Sequence, residues 1–303
     1  MKTAVITGSA GQDGIYLSEH LHKLGYAVTG LTRTGDVNIT NTKDVTRLLT
    51  KLQPTEVYHL AAYHHSSQDK LTDDLEVFRQ SNAVHTLATV NLLEAIRQIS
   101  PFTRLFFAAS CHLFGIPSTP IQDETTPFNP NGIYGITKQA GLQLCHYYRE
   151  KYRVFAAVGI LYNHESPLRS PSFVSQKIVR AAIAIHAGRQ DTLTLGSLDT
   201  CVDWGFAGDY VDAIHRTLQV PVAEDFVIAS GTPHRVGELV EEAFQAVGLN
   251  WRKHVRIDPS LLRQSRRLSL TGNSSKLHRM TGWKPQTSFK ELIQMMIAAE
   301  QRR

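Results

Sequence analysis

Tyr134 and Lys138 stand four residues apart in YGITK, a spacing that on a helix puts a phenol and an ammonium on one face. A tyrosine in that company can serve as acid and base. A neighbouring cation and the charge of an oxidised nicotinamide favour its phenolate, drawing a group of reference pKa about 10 towards the working pH. Such a phenolate takes the proton of a substrate hydroxyl as hydride leaves the same carbon. Ser110, at the end of the apolar run RLFFAAS, offers a hydroxyl to hold that oxygen. The segment AASCHLFG invites another reading, because Ser110, Cys111 and His112 lie side by side like a nucleophile and its base. On an extended strand, however, neighbours point to opposite faces, so Cys111 and His112 diverge while Ser110 and His112 share a side. The sequence has no GxSxG elbow, and a hydrolytic triad also needs an acid to orient the histidine. Ser110 therefore reads as an orienter, with His112 beside it.

Hydride chemistry requires a dinucleotide site, and Gly8, Gly11 and Gly14 provide the pattern for one between the apolar run KTAVIT and the helical run IYLSEHLHKLG. Glycines there permit a tight turn and a close backbone approach to pyrophosphate, whose charge the helix N-terminus favours. The second strand, YAVTGLTR (26–33), ends on Arg33 where an acid would bind a ribose 2'-hydroxyl. A guanidinium suits a 2'-phosphate and so NADP, the alternative being a solvated loop residue. Further strands are expected at EVYHLAA (56–62) and RLFFAAS (104–110), with helices over 42–52 and 76–99. This alternation predicts an α/β, Rossmann-type, doubly wound parallel sheet. After residue 165 the proline-punctuated SPLRSPS intervenes, and strand character returns at DFVIAS (225–230). The expected division is an NADP-binding domain over 1–165, with a return segment near 203–231, and a smaller interleaved substrate domain over 166–303.

The 303 residues are 42% hydrophobic and 19% charged, with no apolar run of 18 or more, which predicts no membrane span. The opening MKTAVITG lacks the features of a secretory leader, so a cytoplasmic protein is expected. Cys111, Cys145 and Cys201 are odd in number and far apart, the pattern of free thiols. Among 14 histidines His64 and His65 are the densest pair, yet neither HExxH nor a Cys/His cluster occurs, so no metal is expected. The net charge of +5 is spread along the chain, which suits a small polyanionic ligand better than nucleic acid.

TGSAGQDG, LAA (60–62), Ser110 and YGITK follow one another in an order that resembles the extended short-chain dehydrogenase/reductase family over nearly the whole chain. ILYNHESP (160–167), DWGFAGDYV (203–211), DFVIASG (225–231) and TGWKPQTSFKELI (281–293) narrow the resemblance to its GDP-mannose 4,6-dehydratase branch. The resemblance implies a nucleotide-diphosphate sugar substrate, GDP-mannose or a related GDP-sugar, and a homodimer or homotetramer built on two helices of each subunit. It also implies that Gln12, Asp13, Asp36, Leu60, Ala61, Ala62, His164 and Arg169 join the glycines, Arg33, Tyr134 and Lys138 around NADP. Asn163, Lys177 and Arg263 would face the sugar nucleotide. The chain departs from the branch at three places: His112 stands for a glutamate that removes the sugar carbon 5 proton, Val202 for the arginine before DWG, and RQSR for RPxE, with Arg266 where an acid is usual. Three net reactions remain open: dehydration with His112 as base, reduction of a 4-ketosugar by Ser110, Tyr134 and Lys138 alone, and epimerisation through His112. A pocket-lining role for His112 is the fourth possibility.

Overall fold

The computed structural model describes residues 1–63, 73–261 and 270–302. The first half alternates strand and helix: β1 Thr3–Thr7, α1 Gln12–Lys23, β2 Ala27–Leu31, α2 Thr42–Leu52, β3 Glu56–His59, α3 Asp74–Asn82, α4 Ala88–Ile99 and β4 Arg104–Ser110. Next come β5 Ile121–Gln122, α5 Ile133–Tyr152, β6 Ala156–Leu161, β7 Asn163–Glu165, α6 Val174–His186 and β8 Leu193–Leu195. The remainder holds β9 Cys201–Phe206, α7 Ala207–Thr217, β10 Asp225–Ile228, β11 Pro233–Arg235, α8 Val236–Ala246, β12 Val255–Ile257, β13 Thr271–Gly272, α9 Ser275–Thr281 and α10 Phe289–Gln301. Helix α2 starts where expected because the Asn41 side chain accepts from the Lys43 and Asp44 amides, relieving two of the unpaired donors of a helix start.

Six strands form one parallel sheet in the order β10-β6-β4-β3-β1-β2. Its residues alternate between two cores. Val5, Val57, Leu105 and Phe107 face one, and Ala4, Ile6, Tyr58 and Phe106 face the other, as a sheet covered on both sides requires. This is the Rossmann-type doubly wound sheet. The order reverses between β1 and β3, so a crevice opens beyond their C-terminal ends, the usual ligand position in such sheets. The helix expected over 76–99 is interrupted by a π-turn at Ala83–Leu87, an insertion that widens the helix and re-aims one side chain.

A third core gathers α6, α8 and α10 around β8 and β9, with Trp204 and Phe244 buried in it. The chain crosses between cores more than once. Leu277 and Trp283 return to the Tyr58 side of the large sheet, and α7 packs against α1. Two aspartates fasten these crossings. Asp209 accepts from the Gln286 and Thr287 amides at 2.9 and 2.8 Å, and its carbonyl takes the Trp283 indole N–H at 3.0 Å. Asp203, wholly buried, accepts from the Ser230 amide and hydroxyl and from the amides of Gly231 and Gly272. Burial raises its pKa above the usual carboxylate value against the pull of those four donors.

Removing that carboxylate strands three amides at once, that of Gly272 buried. Asp203→Ala is expected to cost about 2–4 kcal/mol, and Asp203→Asn less, since one acceptor oxygen survives. Urea unfolding of the two variants checks this, and parent-like stability in Asp203→Ala would refute it.

Candidate active site

The glycine turn sits at the point where the strand order reverses. Gly8 has φ +74°, and a Cβ there would lie 2.9 Å from the Cα and N of Ala61, so the loop after β3 rests directly on the turn. A Cβ on Gly14 would meet the Gly8 carbonyl at 2.4 Å, which makes this glycine the condition for α1 to start so close to the turn. The amides of Gly8 and Ser9 donate to the Leu31 carbonyl at 2.9 and 3.1 Å, tying the turn to β2. Gly11 precedes α1 and no side chain caps it, leaving helix N–H groups for an anion. Strand β2 ends at Leu31, two residues short of the expected end, because a Gly35-to-Thr32 bond turns the chain. Arg33 and Asp36 lie exposed in that turn, while Leu60 and Ala61, followed by Ala62, lie against Gly8 on the other side of β1. Turn, open helix start and arginine together fit a dinucleotide.

The residues around Asp13 form a second layer. Asp13 contacts His164 Nε2 through both oxygens, at 3.0 and 2.9 Å. His164 Nδ1 donates to the Tyr162 carbonyl at 2.7 Å, and its ring stacks on Tyr210 at 4.7 Å. Burial disfavours the imidazolium, but Asp13 outweighs it and holds the His164 pKa above its ordinary value. Burial likewise opposes the Asp13 carboxylate, and His164 prevails in keeping it below the usual range. Gln12 donates to the His164 carbonyl at 3.1 Å and accepts from the Ser166 hydroxyl at 2.7 Å, so the start of α1 is stitched to NHESP. Arg169 pairs with Glu165 at 3.1 Å and lies over the Phe173 ring.

Helix α5 carries the acid and base candidates. Lys138, 1% exposed, donates from Nζ to the Ala108 carbonyl at 2.7 Å and lies 5.8 Å from the centre of the Tyr134 ring. Burial drives its pKa down to about 7, with Asp13 opposing. Burial pushes the half-buried Tyr134 phenol well above its ordinary value, aided by Cys111 and Asp13 and opposed by Arg169. At Tyr134 desolvation thus outweighs the neighbouring charges of the protein, and Lys138 Nζ is directed at a carbonyl. Strand β4 stops at Ser110, and Cys111–Leu113 forms a 3-10 turn whose His112 amide donates to the Ser110 hydroxyl at 3.3 Å. The strand alternation argued for Ser110 and His112 therefore does not extend to residue 112. Cys111 is nevertheless buried in the core, and the His112 ring meets Tyr134 edge-on with centres 5.7 Å apart. Gly135 allows this, since a Cβ there would come within 2.6 Å of the His112 carbonyl.

Asn163 lies at the start of β7, paired with Trp204. Lys177 on α6 donates to the Thr194 carbonyl at 3.0 Å. Arg263, with Arg266, and His64 with His65 lie outside the described residues. Among the described residues no three His, Cys, Asp or Glu side chains gather as a metal site, and no helix is long and apolar enough to cross a membrane. Sequence reasoning missed His59 and His85. The first, buried, bonds the Thr7 hydroxyl at 2.8 Å and the Val84 carbonyl at 3.1 Å. The second is buried against Tyr134. Neither belongs to a motif, and no periodicity distinguishes them from surface histidines.

The sequence model of the family described as GDP-mannose 4,6 dehydratase matches residues 34–296. GDP-mannose 4,6 dehydratase 1 of Arabidopsis thaliana is 37% identical over 326 residues, spanning 98% of this chain and 89% of that one. GDP-mannose 4,6 dehydratase of Cricetulus griseus is 34% identical over 344 residues, spanning 99% and 91%. The structure of RMD from Pseudomonas aeruginosa complexed with NADPH superposes with a TM-score of 0.86 at 22% identity, covering 100% of this chain and 99% of its own. At that identity the likeness concerns the fold.

The Asp13–His164 pair predicts a pH signature. His164, raised above 6.5, contributes fully below that value and loses its contribution as pH climbs through its folded pKa. Asp13, lowered from 3.8, contributes above that value and loses its contribution as pH falls through its folded pKa. A double-mutant cycle of Asp13→Asn and His164→Gln should give a coupling of about 0.5–3 kcal/mol, largest between about pH 4 and pH 6.5 and smaller at about pH 9. A coupling flat across that range would refute the ion pair.

Proposed function

The chain belongs to the GDP-mannose 4,6-dehydratase family, and from that premise we propose that it oxidises carbon 4 of a GDP-linked sugar with NADP as cofactor and removes water across carbons 5 and 6. It is a GDP-sugar 4,6-dehydratase-like enzyme. One observation carries the mechanism: Lys138 anchors α5 to the Ala108 carbonyl, two residues before Ser110, bringing Tyr134 beside the Ser110–His112 turn. NADP is supported by Arg33 in the exposed turn after β2, and a solved neighbour of the same fold is one complexed with NADPH.

When bound, the nicotinamide supplies the hydride acceptor at carbon 4 and the hydride that returns to carbon 6. Tyr134 takes the carbon 4 hydroxyl proton, and Ser110 donates a hydrogen bond to the same oxygen. Burial opposes both a Tyr134 phenolate and a Lys138 ammonium, while Arg169 favours the phenolate and Asp13 the ammonium. Once carbon 4 is a ketone, the carbon 5 proton is acidic. His112 removes it, and the resulting imidazolium gives a proton to the departing carbon 6 hydroxyl. Hydride return to carbon 6 leaves carbon 5 to take up one proton, equal to the one Tyr134 accepted from the carbon 4 hydroxyl, so the balance is loss of one water, with sugar carbon 4 left as ketone and carbon 6 as methyl. Asn163, Lys177 and Arg263 are assigned to the sugar nucleotide. Gly8, Gly11, Gly14, Gln12, Asp13, Asp36, Leu60, Ala61, Ala62, His164 and Arg169 are assigned to the dinucleotide. Residues 1–165 and the return segment form the NADP part, and the rest the substrate part. Phe78, Leu87, Ile136 and Tyr147 are exposed apolar side chains on the α3–α4 run and α5, which supports a homodimer or homotetramer through these helices. A second reading, 4-ketosugar reduction or epimerisation, rests on His112 occupying the place of the family's glutamate.

Arg33→Ala should abolish most of the preference for NADP over NAD in a fluorescence titration, and equal affinities in the parent would refute the assignment. The parent, given GDP-mannose and NADP, should yield a product lighter by one water. Tyr134→Phe should bind NADPH normally yet transfer no hydride. His112→Ala should retain oxidation at carbon 4 while exchange of the carbon 5 proton with deuterated solvent slows by about 10²–10⁴-fold. Parent-like exchange in His112→Ala would remove the elimination role and favour the reductase.

A further inference from the structure

The π-turn between α3 and α4 turns one side chain inward. His85 has no exposed surface, and its ring meets the edge of Tyr134 at 85° with centres 5.2 Å apart. Its two nitrogens are used in a way that fixes the proton. Nε2 receives the Tyr63 backbone N–H at 3.1 Å, and since an amide only donates, Nε2 must carry the lone pair. Nδ1 therefore carries the hydrogen and gives it to the Thr137 hydroxyl at 2.9 Å. That hydroxyl passes a bond to the Ile133 carbonyl at 2.9 Å or that of Tyr134 at 3.2 Å. The backbone leaves little slack. A Cβ on Gly141 would stand 2.5 Å from the His85 carbonyl, so α5 lies directly on the π-turn, and the Thr89 hydroxyl donates to that carbonyl at 2.7 Å.

One imidazole thus joins three pieces: the loop after β3 that rests on the glycine turn, the π-turn, and α5 at Thr137, one turn in from its start. We propose that His85 is a positioning residue for proton transfer by Tyr134. As a neutral Nδ1–H tautomer it holds the Leu60–Tyr63 loop and the tyrosine ring at one separation, so that dinucleotide and acid-base group stay in register. The proposal rests on Tyr134 being the acid-base group. His85 touches no reacting atom and moves no proton. It acts through the Tyr63 amide, the Thr137 hydroxyl and the ring edge, and a displacement of an ångström at a reacting pair is enough to cost about 10²-fold in rate.

Two variants separate the polar clamp from simple filling of space. His85→Phe keeps a ring but offers neither acceptor nor donor, whereas His85→Gln keeps one of each. With GDP-mannose and NADP, His85→Phe should lower kcat by about 10–10²-fold, with KM and NADPH affinity within about threefold of the parent. Its kcat–pH profile should shift, because the environment of the phenol has changed. Amide hydrogen exchange at Tyr63 should quicken in His85→Phe and stay protected in His85→Gln, whose kcat and pH profile should return towards the parent. Parent-like kcat and pH profile in His85→Phe overturn the proposal, as does a His85→Gln variant no better than His85→Phe. If His85→Phe does not fold, His85→Gln decides through Tyr63 exchange and kcat together, both of which must stay near the parent. Tyr134→Phe, assayed alongside, keeps the two readings apart: inactive Tyr134→Phe with parent-like His85→Phe leaves the tyrosine reading standing and the positioning role refuted, whereas active Tyr134→Phe refutes both.

Discussion

A lysine ammonium with almost no solvent contact needs a fixed acceptor, and Lys138 finds it in the Ala108 carbonyl at 2.7 Å. Burying such a group unpaired is prohibitive, so this bond dictates where α5 can lie along β4. Everything else in the site inherits that register. Tyr134 comes opposite the 3-10 turn, Gly135 becomes necessary where the helix crosses the His112 carbonyl, and Gly141 where it crosses the His85 carbonyl. The sheet contributes the other fixed point. The strand order reverses between β1 and β3, and the crevice formed there is bounded by Gly8 and Ala61 in near contact.

Much of this was legible because it depends on local rules. The strand–glycine–helix succession, the parallel sheet and the Tyr134–Lys138 spacing follow from periodicity and backbone sterics, and the structure places those elements accordingly. The family resemblance was legible in DWGFAGDYV and TGWKPQTSFKELI. Part of what those motifs encode is structural: Asp203 gathers amides from two distant segments, and Asp209 anchors the chain after Trp283. The acidic residues of these motifs hold the crossings that bring late segments of the chain back to the large sheet.

What escaped the sequence depends on tertiary contact. The 3-10 turn after Ser110 defeats a strand-alternation argument that is valid up to residue 110, because the chain leaves β geometry once Ser110 accepts the His112 amide. The π-turn is equally invisible, since nothing in AVHTL departs from an ordinary helical composition. Its effect is large, for it makes His85 a core residue bonded at both nitrogens. The surroundings of Lys138 escaped for a related reason: spacing reports that an ammonium is near but not that it is desolvated and directed at the Ala108 carbonyl.

That desolvation leaves the charges of Lys138 and Tyr134 to neighbours outside α5. Asp13 favours the Lys138 ammonium and at the same time disfavours the Tyr134 phenolate, while Arg169 favours the phenolate. Asp13 is in turn held by His164, and Arg169 is paired with Glu165. The electrostatic setting of Tyr134 and Lys138 on α5 is therefore written in the start of α1 and in NHESPLR, not on α5 itself. A change in how Asp13 is shared between His164 and its other neighbours would raise or lower the Lys138 and Tyr134 pKa values together, moving one group towards its charged form and the other towards its neutral form. The Asp13–His164 contact therefore sets a compromise on α5, favouring the Lys138 ammonium at the expense of the Tyr134 phenolate.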